Sequence, residues 1–68
     1  MKAVSGKQFC RVLEKQGWQL VQSKGSHFKY IHPDRDKRVI VPVHGNRDMK
    51  KGTQIALMKQ TGISEEMF

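Results

Sequence analysis

The sequence predicts an α+β domain in the order α-β-β-β-α, with a three-stranded antiparallel sheet and two helices on one face. Three observations predict it. Apolar residues recur at helical spacing near both ends, at Phe9, Val12 and Leu13 and again at Ile55 and Met58. Between them lie three short runs of alternating strand formers. The runs are parted by turn-forming stretches, Ser23-Lys24-Gly25-Ser26 and Pro33-Asp34-Arg35-Asp36, which make them a meander.

The first helix starts from Ser5, a good N-cap, with Gln8 three residues later as in a capping box. Val4 and Phe9 have the spacing of a hydrophobic staple. Phe9, Val12, Leu13 and Gln16 form the inward face, with Cys10 at its edge, and Lys7, Arg11, Glu14 and Lys15 lie opposite. Gly17 supplies the left-handed residue that stops the helix. The first strand is expected over residues 18–22. In the second, over residues 27–32, Phe28 and Tyr30 share one face while His27, Lys29 and Ile31 share the other. Val39, Val41 and Val43 alternate on the third, and Pro42 within it calls for a sheet edge. The second helix is expected from residue 50 to 61, capped by Asp48, with Ile55, Ala56, Leu57 and Met58 over the sheet. Gly52 near its start is expected to permit a close backbone approach. Gly62 and Ile63 fit its C-terminal cap, and Ser64-Glu65-Glu66 begins a last short turn that folds Met67 and Phe68 back onto the core. Two helices with one apolar face each pack economically on one side of so small a sheet. The other side is left free for a ligand.

The chain has 68 residues, with 13 Lys+Arg against 6 Asp+Glu and a net charge of +7. This length fits one domain, residues 1–68. A chain so short buries only roughly 60% of its unfolded surface, so no deep cofactor pocket is expected and any active site is open. The longest apolar run, from Val39 to Val43, is far short of the ~20 residues that span a membrane. The first seven residues lack the apolar segment of a secretory signal. Cys10 is alone and forms no intrachain disulfide, and with His27, His32 and His44 it matches no usual zinc spacing. A free thiol and no signal point to a reducing cytoplasm. The charge excess calls for an anionic partner, nucleic acid or an acidic protein.

Chemistry concentrates at Lys24-Gly25-Ser26-His27, entering the second strand. His27 stands on the face expected to be open, and Lys24 and Lys29 supply charge to hold a phosphate beside it. Ser26 adds a hydroxyl that orients the phosphate or the imidazole. An imidazole, with a reference pKa of about 6.5, exchanges protons near neutrality. RNA cleavage needs such a group, to deprotonate the 2′-hydroxyl or protonate the leaving 5′-oxygen, an effect worth ~10²–10⁴-fold. The competing reading is a histidine that touches RNA without reacting. Lys50 and Lys51, with Arg47 nearby, meet the positive end of the second helix and form a phosphate locus. His32 before Pro33 fits a structural hydrogen bond in the turn. His44 helps His27 only if the fold brings the two together. Metal-dependent nuclease chemistry needs clustered carboxylates, whereas Asp34 and Asp36 sit in a hairpin tip among Arg35, Lys37 and Arg38. No metal site is expected. No nucleophile elbow supports a serine triad, and no helix-turn-helix spacing supports a DNA regulator.

The element order is also that of double-stranded RNA-binding domains, which read helix shape, 2′-hydroxyls and phosphates. More specifically, Leu13-Glu14-Lys15-Gln16-Gly17-Trp18, Gly25-Ser26-His27, Tyr30, His32-Pro33, Val41-Pro42-Val43-His44-Gly45-Asn46 and Lys50-Lys51-Gly52-Thr53 follow in an order and spacing that resemble the HicA family. These are small toxins of bacterial and archaeal HicA/HicB toxin–antitoxin pairs. The resemblance implies a double-stranded RNA-binding-like fold and an mRNA interferase that cuts RNA and blocks translation. It places the family's catalytic histidine, that of its Gly-Ser-His motif, on His27. It implies a HicB-type antitoxin that covers this face, in a hetero-oligomer formed from a toxin that is monomeric alone. Ile31 stands where family members often carry Arg or Lys, which removes one phosphate contact. The alternative from the residues alone is a non-catalytic RNA-binding module of the same fold.

Overall fold

The computed structural model describes residues 1–68. Helix α1 spans Gly6–Lys15, strands β1, β2 and β3 span Gln19–Lys24, His27–Ile31 and Val39–Pro42, and helix α2 spans Lys51–Thr61. A 3-10 turn, Glu65–Met67, closes the chain. The sheet order is β1-β2-β3, antiparallel throughout. This is the predicted α+β layout of the double-stranded RNA-binding type. Tyr30, Val39 and Val41 are buried toward the helices, whereas His27, Ile31 and Ile40 on the opposite sheet face are exposed. Val4, Phe9, Leu13, Trp18 and Leu57 complete the core around them.

At the start of α1, the Gln8 amide donates to Ser5 Oγ at 3.1 Å, and the staple residues Val4 and Phe9 are fully buried. Cys10 joins Phe9, Val12 and Leu13 on the buried face, and Gln16 is exposed instead of inward. Gly17 ends the helix at φ 94°, as its position predicts. Tyr30, buried beneath α1, donates its hydroxyl to Glu14 Oε2 at 2.7 Å. Burial pushes the Tyr30 phenol up, and its hydrogen bonds with Cys10 and Glu14 push it further. Burial likewise pushes the Cys10 thiol up, which keeps it an unreactive packing group.

The first strand begins one residue later than expected and runs two residues further. Leu20 pairs with Tyr30 but Gln22 pairs with Lys29, so a bulge at Val21 shifts the phase. The hairpin then closes on two residues, Gly25 and Ser26, between the paired Lys24 and His27. Gly25 takes φ 58° while Ser26 does not go positive, the arrangement of a II′ hairpin with glycine first. On the other edge, β3 ends at Pro42, where a missing N–H costs no ladder bond.

The second helix differs most from expectation. Asp48 does not cap it; Lys50 occupies the cap position, with no side-chain bond. Asp48 pairs instead with Ser5 in a short antiparallel bridge, and the Met49 amide donates to the Val4 carbonyl at 2.9 Å. That pairing keeps the chain extended through Lys50. The buried face is Gln54, Leu57 and Thr61; Ile55 and Met58 are half-buried and Ala56 is exposed. Gly52 faces open space rather than a close backbone neighbour. Gln54 turns inward because it clamps the N-terminal segment, accepting from Val4 N at 3.1 Å and donating to the Lys2 carbonyl at 2.7 Å. Thr61 turns inward with its hydroxyl donated to the Leu57 carbonyl at 2.7 Å. No buried side-chain polar atom lacks a partner. Gln54→Leu keeps the bulk but removes both bonds of the clamp. We expect it to cost about 2 kcal/mol, the penalty of stranding buried backbone groups. A urea midpoint equal to that of the unsubstituted chain would refute the clamp.

The β2–β3 loop is tied to the C-terminal ends of both helices. His32 Nδ1 accepts from the Asp34 amide at 3.0 Å, so its Nε2 carries the proton donated to the Gln16 carbonyl at 3.1 Å. This is the structural role expected of His32. Its ring also meets Trp18 edge-on at 5.2 Å. Arg35 lies 5.9 Å over Trp18 and donates to the Gln60 carbonyl at 3.2 Å. At the chain end, Phe68 packs 5.7 Å from Phe9, but Met67 stays exposed rather than folding back. The Lys2 amide donates to Glu65 Oε1 at 2.6 Å, and this bond holds the Glu65 carboxyl below the usual range, helped by the N-terminal ammonium. No helix is long and apolar enough to cross a membrane.

Candidate nucleic-acid interface

The two-residue hairpin and the β2 register decide where the cationic side chains stand. Opposed residues of an antiparallel ladder project to the same face. Lys24, His27 and Pro42 are opposed across the three strands, and Gln22, Lys29 and Ile40 form the next row. The open face therefore presents His27 beside Lys24, with Lys29 one row away. His27 and Lys24 are exposed and Lys29 is half-buried. Ser26, also half-buried, precedes them in the turn, and its carbonyl accepts from the Val43 amide at 2.7 Å. Among the three histidines only the His32 ring is held by hydrogen bonds to the protein. The His27 imidazole is left open to an incoming group.

The ion-pair pattern is equally informative. The single ion pair joins the N-terminal amine to Glu65 at 3.5 Å, and no lysine or arginine side chain is paired. All 13 Lys+Arg charges thus remain unneutralised by the protein. A surface with that field attracts polyanions over long range.

Lys50 and Lys51 separate. Lys50 lines a cleft of about 330 Å³ with Pro42, His44, Arg47, Asp48, Met49 and Thr53; Lys51 is exposed on the first turn of α2 and is not part of its lining. The cleft adjoins the catalytic candidate through Pro42, the cross-strand partner of His27. His44 and Thr53 were not legible as part of it. They belong to a loop and to the second helix, and only the Ser5–Asp48 bridge sets that loop beside the sheet. No three His, Cys, Asp or Glu side chains converge as metal ligands would.

Comparison with known proteins gives the lineage. The family described as HicA toxin of bacterial toxin-antitoxin matches residues 6–63. The chain belongs to the HicA toxin family. A probable mRNA interferase HicA of Pseudomonas fluorescens (strain Pf0-1) is similar to it, 34% identical over 58 residues, which cover 85% of this chain and 93% of that relative. The matched span of this HicA family member runs from the first residue of α1 to Ile63 beyond α2. It therefore takes in the whole sheet, the Gly25-Ser26-His27 hairpin and the cleft.

Proposed function

We propose that this chain is a toxin-type endoribonuclease, an mRNA interferase that cuts RNA by metal-independent general acid/base catalysis at His27. The observation that carries the reading is the placement of an exposed, unbonded imidazole between Lys24 and Lys29 on the open sheet face. Membership of the HicA family and the name of the Pseudomonas relative support it. In this reading the 2′-oxygen, losing its proton, attacks the adjacent phosphorus. The bond to the 5′-oxygen breaks, and that oxygen departs with a proton. His27 carries one of these two proton transfers. Lys24 and Lys29 neutralise and position the phosphate, Ser26 orients it, and Lys50 and Lys51 hold the strand further along. No cofactor enters the scheme. The domain acts as one unit, residues 1–68, in the cytoplasm where translated messages lie.

The toxin alone is monomeric in this proposal and forms a hetero-oligomer with a HicB-type antitoxin. The net charge of +7 speeds its encounter with an acidic partner at low salt. Ile31 and Ile40, exposed on the same sheet face as His27, supply apolar anchors for the bound state.

The test is direct. Purified protein is incubated with a mixed RNA in EDTA, and the products are examined for new 5′-hydroxyl ends. Cutting under these conditions is expected. RNA bound but left intact would instead establish a non-catalytic RNA-binding module.

A further inference from the structure

We infer that the cleft lined by His44, Arg47, Lys50 and Thr53 is a second phosphate subsite, holding the RNA backbone phosphate next to the one cut at His27. The inference rests on the nuclease reading for its substrate. Its own support is the juxtaposition of cleft and histidine. Pro42 forms one wall of the cleft and stands opposite His27 in the ladder. Directly opposed residues lie about 5 Å apart, which is the scale of a single nucleotide step rather than of a separate site.

The lining suits a phosphate ester and little else. Met49 and the half-buried Pro42 give apolar walls, and the remaining residues are polar or charged. Arg47 and Lys50 are exposed and unpaired, so neither must abandon a protein carboxylate to bind a ligand. Arg47 can grip two phosphate oxygens at once, and Lys50 adds a point charge. Thr53 and His44 add hydrogen-bonding groups. Asp48 is the one carboxylate in the lining, and the two cations outnumber it. A volume of about 330 Å³ is at the small end of ligand sites, enough for a phosphate and part of its sugar. A flat basic surface would bind phosphates without register. A walled subsite beside His27 instead fixes which linkage reaches the imidazole.

The subsite predicts a length rule for the substrate. A dinucleoside monophosphate offers only the scissile phosphate. The same dinucleotide with an added terminal phosphate, at either the 5′ or the 3′ end, also fills the cleft in one of the two cases. We expect that case to raise kcat/KM by about tenfold, the scale of a charge-assisted contact. In the double variant Arg47→Ala/Lys50→Ala this advantage falls below threefold. The charge-matched control Lys15→Ala/Lys59→Ala, altered on helix positions away from the cleft, keeps it. Circular dichroism melts verify that both variants remain folded.

Two results overturn the subsite: no advantage from either terminal phosphate, or an advantage that survives in Arg47→Ala/Lys50→Ala. If the unsubstituted protein cuts no RNA, the nuclease reading fails and the subsite is judged by RNA binding instead. The slope of log affinity against log salt then decreases in magnitude by about 1.4 for the cleft variant on single strands, at about 0.7 per phosphate contact. An equal decrease in the Lys15/Lys59 control would show a diffuse charge effect and refute the cleft.

Discussion

His27→Ala is expected to lower RNA cleavage by about 10²–10⁴-fold while leaving RNA binding within about twofold. The magnitude is that of removing a positioned proton-transfer group. The selectivity follows from the structure. His27 is exposed and has no hydrogen bond to the protein, so truncating its side chain opens no cavity and strands no partner. Its backbone stays paired with Lys24 and Pro42. Surface substitutions of this kind change stability by about 0.5 kcal/mol or less. Lys24 and Lys29 remain to hold the phosphate. His27→Gln sharpens the test, because glutamine keeps a polar, hydrogen-bonding side chain but exchanges no proton. It should be as inactive as alanine. Single-turnover cleavage, melting temperature and filter binding measure the three quantities separately. Residual cutting near the original rate in both variants would move the chemistry away from β2.

The second large effect is on stability. Gly6→Ala is expected to cost about 3 kcal/mol, the upper part of the range for overpacking a closed site. For a domain of this size that lowers the melting temperature by roughly 10–20 °C. Gly6 is fully enclosed at the first turn of α1, and a Cβ there would collide with the Pro42 carbonyl oxygen. Both colliding groups are attached to backbone, so no side-chain rotation relieves the contact. In an exposed helix, alanine at this place would be an improvement over glycine. The sign is reversed by the close approach of α1 to β3. The same contact links α1 to the site, since Pro42 opposes His27 and walls the cleft. A melting temperature unchanged within a few degrees would show that β3 can give way.

Much of this architecture was legible locally. The Ser5 cap, the Val4–Phe9 staple and the glycine that stops α1 are all set within a few residues of chain. The alternation of β2 was enough to place Phe28 and Tyr30 inward and His27 and Lys29 outward, because strand period is a local property. The family resemblance was carried by motifs whose order is read directly along the chain. The inward face of α2 was misread for the opposite reason. Periodicity counts apolar residues, and that face carries Gln54 and Thr61, whose partners make them acceptable inside. For Gln54 those partners are about fifty residues earlier, at Lys2 and Val4. Asp48 was misread as a helix cap because its pairing with Ser5 is equally distant in sequence.

The amino-acid order by itself determined the class of the fold, the cationic surplus and the strand face on which His27 stands. Tertiary structure alone decided that Gly6 must lack a side chain, that Val21 bulges, and that His44, Arg47, Lys50 and Thr53 enclose one space beside Pro42. The physical reason is range. Capping and periodicity act over one or two turns of chain, whereas clefts and close backbone approaches arise where segments distant in sequence compete for the same volume.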